Sequence, residues 1–266
     1  MGSLDGTIAV VTGASRGIGK GCALELGAAG ATVYVSGRDA GTLEQSAREI
    51  DELGGSGVAA VCDQRQDEQV KQLFERVRAE RGRLDVLVNS SFLDPGILNS
   101  PPFWETPISW YDDMNDIGTR SAYVATYYAV PLLLDSGGGL IANVSSMGAA
   151  FYYQHVAYGM GKAALDKLTR DASRQLRDHS VAVVSIWPYI VKTETVQKLV
   201  ESGAPLPLEG AESQRFTGRG VATLAGDPDV LQRGGKSFTS RELADDYGFT
   251  DVDGSLPTGS PPPKRR

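Results

Sequence analysis

Histidine and cysteine are nearly missing from this 266-residue chain, with two of each: His155, His179, Cys22 and Cys62. Two separated imidazoles and no pair of thiols at ligand spacing exclude an ordinary zinc cluster. The cysteines read as buried small hydrophobes of a reduced, cytoplasmic protein rather than as a disulfide framework. No apolar run approaches the ~18 residues of a membrane span. The first ten residues, a polar start and then a short strand, lack a signal peptide's apolar core, and Gly6 stands where a myristoylation pattern needs Ser or Thr. Basic side chains are outnumbered, 26 against 33 acidic for a net charge of −7, so a nucleic-acid partner is disfavoured and an anionic ligand needs local basic groups. At 41% hydrophobic, the chain has the apolar content for a large core of a soluble globular protein.

That apolar content is organised. Ile8–Val11, Thr32–Val35, Val58–Val61, Val86–Val88, Leu140–Val144 and Val181–Ile186 are short β-branched runs bounded by Gly, Asp or Asn, and helix-like segments separate them. Continuous apolar strands alternating with helices predict an α/β fold, a doubly wound parallel sheet with helices on both faces. Helices are expected at Gly17–Ala29, Thr42–Leu53, Asp67–Arg81, Ser109–Leu134 and Ala157–Arg177, with Asp67 as an N-cap, Gly82 as a stop, and Pro131 kinking or ending the fourth. One domain is expected over residues 1–253, with a loop at about 193–218 that either covers a site or lies on the surface. The Pro- and Gly-rich tail, 254–266, is expected to be disordered.

Between the first strand and the first helix lies Thr12-Gly13-Ala14-Ser15-Arg16-Gly17-Ile18-Gly19. A glycine-rich turn there brings backbone N–H groups of a helix N-terminus against a pyrophosphate, so Gly13, Ser15, Arg16, Gly17, Ile18 and Gly19 are candidate dinucleotide-binding residues. The second strand ends in Gly37-Arg38, where folds selective for NAD carry a carboxylate. Arg38 and Arg16 are suited to bidentate bonds with a 2′-phosphate, which predicts NADP(H) as cofactor. Asp63 either accepts from the adenine amino group or caps its loop, and Asn89 is placed to brace the sheet beside the adenosine ribose.

Tyr158-Gly-Met-Gly-Lys162 follows an apolar strand that ends in Ser145-Ser146. Residues four apart share a helix face, ~5–6 Å between Cβ atoms, so the Lys162 ammonium is expected beneath the Tyr158 ring, lowering its pKa towards the working pH of a general acid or base. With the glycine-rich turn, the Ser pair and this motif in place, the chain resembles the short-chain dehydrogenase/reductase family over about residues 5–250. Trp187-Pro188 and the run from Leu243 to Gly254 are similar, more narrowly, to its member 1 branch. The resemblance implies a single Rossmann-type sheet of seven strands in the order 3-2-1-4-5-6-7, and a homodimer or homotetramer packed through the fourth and fifth helices. It implies that Tyr158 is the acid/base, that Lys162 binds the nicotinamide ribose, and that Ser146 polarises the substrate oxygen. In Asn115-Asp-Ile-Gly118, Asn115 is implied to hold a relay water against the lysine. Thr193 and the Val191 backbone are implied to meet the nicotinamide carboxamide.

Three positions depart from the family pattern: Asn89-Ser90-Ser91-Phe92, Pro188-Tyr189, and a Ser146-to-Tyr158 separation one residue shorter than is common. Counting back from Tyr158 selects Ser145, whereas counting along the strand selects Ser146; adjacent strand residues face opposite ways, and strand geometry favours Ser146. Phe92, Leu93, Trp104, Phe151, Tyr152, Tyr153, His155 and Tyr189 are expected around the mouth, with Phe92, Phe151 and Tyr189 as substrate residues. An apolar, aromatic lining favours bulky hydrophobic ketones or aldehydes, steroid-like or cyclic aromatic ones by the resemblance. Plain core or an oligomer interface is the competing account of these aromatics. His155 reads as a satisfied loop residue. The altered motifs keep a second function open, a dinucleotide sensor or scaffold that has lost its chemistry.

Overall fold

The computed structural model describes residues 3–98 and 100–258. The β-branched runs become β1 (Ile8–Thr12), β2 (Thr32–Gly37), β3 (Ser56–Val61), β4 (Val86–Asn89), β5 (Gly139–Val144) and β6 (Val181–Trp187), joined by β7 (Ser237–Thr239). All seven pair in parallel in one sheet, order β3-β2-β1-β4-β5-β6-β7, as expected. Strand side chains alternate between two cores. Ala9, Val11, Val33, Val35, Val88 and Val184 meet one helical layer, and Val10, Tyr34, Leu87, Ile141 and Val183 meet the other. The strand order reverses between β1 and β4, which opens a crevice at the carboxyl ends.

The helices are α1 (Gly17–Ala28), α2 (Ala40–Glu52), α3 (Asp67–Arg81), α4 (Ser109–Asn115), α5 (Ser121–Asp135), α6 (Val156–Leu176), α7 (Glu194–Glu201), α8 (Gln214–Ala225) and α9 (Ser240–Tyr247). Gly82 ends α3 at φ 69° as expected, but Asp67 is not the cap. It is the first helical residue, and its carboxylate pairs with Arg120 at 2.7 and 2.6 Å. The long helix expected from Ser109 is divided by a π-helical turn at Asp116–Arg120, and Pro131 does not end it. Pro131 lies on the exposed side, where the helix runs on to Asp135 despite the missing donor. The tail departs from expectation as well. Thr258 N–H donates to the Gly210 carbonyl at 3.1 Å, Arg241 donates to Pro257 O at 3.2 Å, and Pro257 is buried. Hydrogen bonds and the buried Pro257 ring together seat residues 254–258; positions 259–266 of the expected tail lie outside the described residues.

Helices α1 and α8 approach through small residues. A Cβ on Gly21 would stand 1.8 Å from the Gln214 carbonyl oxygen, and one on Gly218 would stand 2.4 Å from Gly21 O. Beside this contact the buried Glu25 carboxylate receives Arg215 at 2.6 Å and Arg219 at 3.6 Å. Gly21→Ala must push the helices apart, at a cost of at least ~1–3 kcal/mol. Scanning calorimetry should record a Tm several degrees lower; an unchanged Tm would show that the two backbones do not touch.

Candidate active site

Strand β5 delivers Ser145 and Ser146 to the edge of the crevice, and α6 lies across them. His155 starts α6 by accepting from Ala157 N–H on Nδ1 at 3.2 Å, while its Nε2 lies 3.2 Å from the Thr106 hydroxyl. Both ring nitrogens are engaged in holding the chain. Ser145 faces the helix and donates to the Lys162 carbonyl at 3.3 Å. Ser146 faces the other way, accepting from Gly148 N–H at 3.0 Å, and a Cβ on Gly148 would stand 3.0 Å from the Ser146 hydroxyl and 2.8 Å from Cε1 of Tyr158. The geometry therefore brings Ser146, not Ser145, to Tyr158.

Lys162 is buried and donates to the Val144 carbonyl at 3.0 Å. Its Nζ lies 5.6 Å from the centre of the Tyr158 ring and 5.0 Å from that of Phe92. Loss of water pushes the lysine down to about 8 from an ordinary 10.5, with Asp166 opposing weakly. The expected depression of Tyr158 is not found. Burial raises its pKa, the Ser146 hydrogen bond only partly offsets this, and Tyr153 and Asp94 add to the rise. The physical reason is that enclosure penalises the phenolate by more than the Ser146 hydroxyl favours it. Tyr158 is thus held as a phenol, the form that gives a proton.

Asn115 closes α4 just before the π turn. Its amide donates to Tyr111 O at 2.9 Å and reaches the Ala157 carbonyl at 3.5 Å, which ties α4 to α6. Thr119 in the turn donates to Gly161 O at 3.0 Å. Phe92, where the family pattern has glycine, packs edge-on against Tyr158 with ring centres 5.6 Å apart and lies above Gly118. The gap enclosed by Phe92, Met114, Thr119, Tyr158 and Lys162 is too small for a water molecule. Tyr153 also flanks Tyr158, ring centres 6.1 Å apart.

The dinucleotide end lies across the crevice. Gly13 (φ 66°) and Gly19 are packing glycines: a Cβ on the first would strike Ser91 Cα at 2.8 Å and on the second Gly13 O at 2.3 Å. Gly17 (φ 60°) differs. The nearest atom to its Cβ position is Thr193 Cγ2, 3.6 Å away, so this part of the turn borders open space as a pyrophosphate seat requires. Ser15 and Ile18 are half-buried around it, and Arg16 and Arg38 are exposed. Asp63 accepts from Arg65 N–H at 3.0 Å, the loop-capping arrangement. Asn89 donates to Asn143 Oδ1 at 2.8 Å and Thr126 at 3.2 Å, bracing β4 to β5. Thr193 caps α7 by accepting from Val196 N–H at 3.2 Å, and Val191 is buried beside it. These residues fit a dinucleotide lying from Arg38 to Thr193.

The expected aromatic mouth separates into two groups. Trp104 and Tyr152 are 71% and 81% exposed and turn to solvent, whereas Phe92 and Tyr153 touch Tyr158. Leu93 and Phe151 are half-buried in loops near the serines. Tyr189 is half-buried, and its backbone N–H donates to Glu212 at 3.0 Å. Two acidic residues had no motif to announce them. Glu194 accepts from Gly17 N–H at 3.0 Å, and Glu212 is buried beneath the Tyr189–Lys192 segment. Burial pushes the Cys22 and Cys62 thiols up to about 12 and about 11, which removes them as nucleophiles.

The short chain dehydrogenase family model matches residues 7–203. Dehydrogenase/reductase SDR family member 1 of Homo sapiens is 44% identical over 265 residues, covering 94% of this chain and 85% of its own. A tropinone reductase homolog of Arabidopsis thaliana is 30% identical over 222 residues, 80% of this chain and 81% of that one. A solved metagenomic short-chain oxidoreductase in complex with NADP superposes with a TM-score of 0.73 at 29% identity, over 89% of this chain and 96% of that one. A match running from the first strand past α7, together with identity sustained along nearly the whole chain, decides what the fold alone leaves open. This chain belongs to the short-chain dehydrogenase/reductase family, on the side of its member 1 branch.

Proposed function

We propose that this chain reduces the carbonyl of a bulky hydrophobic ketone or aldehyde to an alcohol at the expense of NADP(H). The observation that carries the reading is the convergence of the Ser146 hydroxyl and the Tyr158 ring on Gly148 just past the end of β5, with the Lys162 amine buried beneath the same ring. When bound, the dinucleotide supplies the hydride. The residues of the chain do the rest. Ser146 and Tyr158 each donate a hydrogen bond to the carbonyl oxygen, and Tyr158 gives up its proton as negative charge develops there. Its raised pKa suits that direction, because the phenol keeps its proton at neutral pH until an alkoxide appears. Lys162, fixed by Val144, stands ready to bind the nicotinamide ribose and to balance the phenolate that remains.

Arg38 and Arg16, exposed at the end of β2 and the start of α1, support selection of a 2′-phosphate. Phe92 and Tyr153 support an apolar substrate, and the similarity to a tropinone reductase homolog favours a cyclic ketone. Association through α5 and α6 is supported by exposed Tyr123, Tyr127, Leu134 and Met160 on their outer faces. A cytoplasmic location completes the reading. No described helix is long and apolar enough to cross a membrane.

Tyr158→Phe should leave NADPH affinity unchanged while lowering ketone turnover by ~10²–10⁴-fold in steady-state assays. In the same titrations NADPH should bind more tightly than NADH, and Arg38→Ala should close the gap. Undiminished turnover, or NADH binding more tightly, would refute the respective half of the proposal.

Lys162 yields a stability test. Its folded pKa lies below the ordinary value, so between about 8 and 10.5 the unfolded chain holds more protons and stability rises with pH. Below that window the burial penalty is present in full, up to about 3 kcal/mol at ~1.4 kcal/mol per pKa unit. Lys162→Met should therefore melt several degrees above the parent at pH 7, with the difference vanishing above about pH 10 in a series of calorimetric scans. A lower Tm at both pH values would mean that the ammonium stabilises the fold.

A further inference from the structure

The Tyr189–Lys192 segment between β6 and α7 is held chiefly by one residue, Glu212, with Gln214 Nε2 adding a bond to the Lys192 carbonyl at 3.3 Å. The Glu212 N–H donates to Ile190 O at 2.9 Å and its carbonyl accepts from Lys192 N–H at 2.8 Å, so that Val191 and Glu212 pair as an isolated parallel bridge. The side chain turns back to the same segment. One carboxylate oxygen accepts from Tyr189 N–H at 3.0 Å and the other from the Thr217 hydroxyl at 3.4 Å. Three bonds thus hold residues 189, 190 and 192, and the segment leads directly to the Thr193 cap of α7.

Glu212 is fully buried, and no cationic side chain pairs with it among the described residues. A carboxylate in that position is costly to fold, so stability alone does not account for its presence. Its distinctive capacity is reach, because two acceptor oxygens on a flexible stem meet a backbone donor that no apolar side chain can satisfy. The neighbouring residue is anchored in turn. Ser213 N–H donates to Asp251 at 2.7 Å, and Arg219 donates to the Thr250 carbonyl at 2.7 Å. The carboxyl-terminal run is thereby fastened to the point where Glu212 grips the loop.

We propose that Glu212 is a positioning residue for the nicotinamide half of the cofactor site, holding the Tyr189–Lys192 segment so that Val191 and Thr193 present their polar groups to the carboxamide. The inference rests on the reading of Val191 and Thr193 given above. Burial, with the Asp251 charge adding to it, pushes the Glu212 carboxyl up to about 7, so the neutral carboxyl is well populated at neutral pH and glutamine is its neutral counterpart. Glutamine keeps the acceptor for Tyr189 N–H and offers a donor to the Thr217 hydroxyl.

Calorimetric titration with NADPH, and with 2′-phospho-ADP-ribose, which lacks nicotinamide, tests this. Glu212→Ala should weaken NADPH binding by about 10-fold or more while leaving the fragment within about two-fold of the parent. Glu212→Gln should restore NADPH affinity. Glu212→Asp, which keeps the charge but withdraws the oxygen by one methylene, should show the selective loss even if the alanine variant fails to fold. Equal losses for both ligands, or no loss for either, overturn the assignment. A parent protein that binds the fragment and NADPH equally overturns instead the carboxamide reading on which it rests, and the assignment with it.

Discussion

An ammonium group taken out of water organises this site. Lys162 leaves solvent to donate to the last carbonyl of β5, under the rings of Phe92 and Tyr158. The bond pins α6 to the strand end and fixes which side of the helix Tyr158 occupies. The Ser145 hydroxyl reinforces the contact from the strand by bonding the Lys162 carbonyl. With Ser145 committed inward, the pleat leaves Ser146 facing Tyr158. The cost is electrostatic: the amine loses part of its basicity and the phenol becomes harder to ionise. Both shifts favour a phenol that keeps its proton over a resident phenolate.

The dinucleotide end depends on absence of side chains rather than on charge. Gly13 and Gly19 let the turn fold against Ser90–Ser91, while Gly21 and Gly218 let α1 and α8 meet backbone to backbone. Helix α8 begins just after Glu212, so the helix that packs on α1, behind the glycine-rich turn, also supports the loop between β6 and α7. Glu194 bridges the same crevice from α7 to Gly17. Two ends of one ligand site are therefore mechanically joined through α1, α8 and the loop between β6 and α7.

Much of this was legible in the sequence, for identifiable reasons. Six strands are written as β-branched runs because a parallel sheet covered on both faces needs apolar residues at every position. The glycine-rich turn and the Tyr158–Lys162 spacing depend on local geometry, and local geometry survives in sequence. What was not legible depends on distant contacts. The π turn at Asp116–Arg120 interrupts no hydrophobic pattern, so the segment reads as one helix. The pKa of Tyr158 is set by enclosure, which residue spacing does not report. Trp104 and Tyr152 share the composition of the mouth but face solvent. Glu212 stands in a polar stretch indistinguishable from a surface loop until Tyr189–Lys192 closes over it.

The claim on which the rest turns is that a carbonyl oxygen sits between Ser146 and Tyr158 while hydride arrives at its carbon. Reduction of a cyclic ketone with NADPH deuterated at both C4 positions, followed by mass analysis of the alcohol, tests it directly in the parent, Ser145→Ala and Ser146→Ala proteins. Deuterium should appear on the carbinol carbon with the parent and Ser145→Ala, and Ser146→Ala should form that alcohol ~10²–10³-fold more slowly. Labelled product from Ser146→Ala at the parental rate, or an unlabelled carbinol carbon from the parent, would contradict the account.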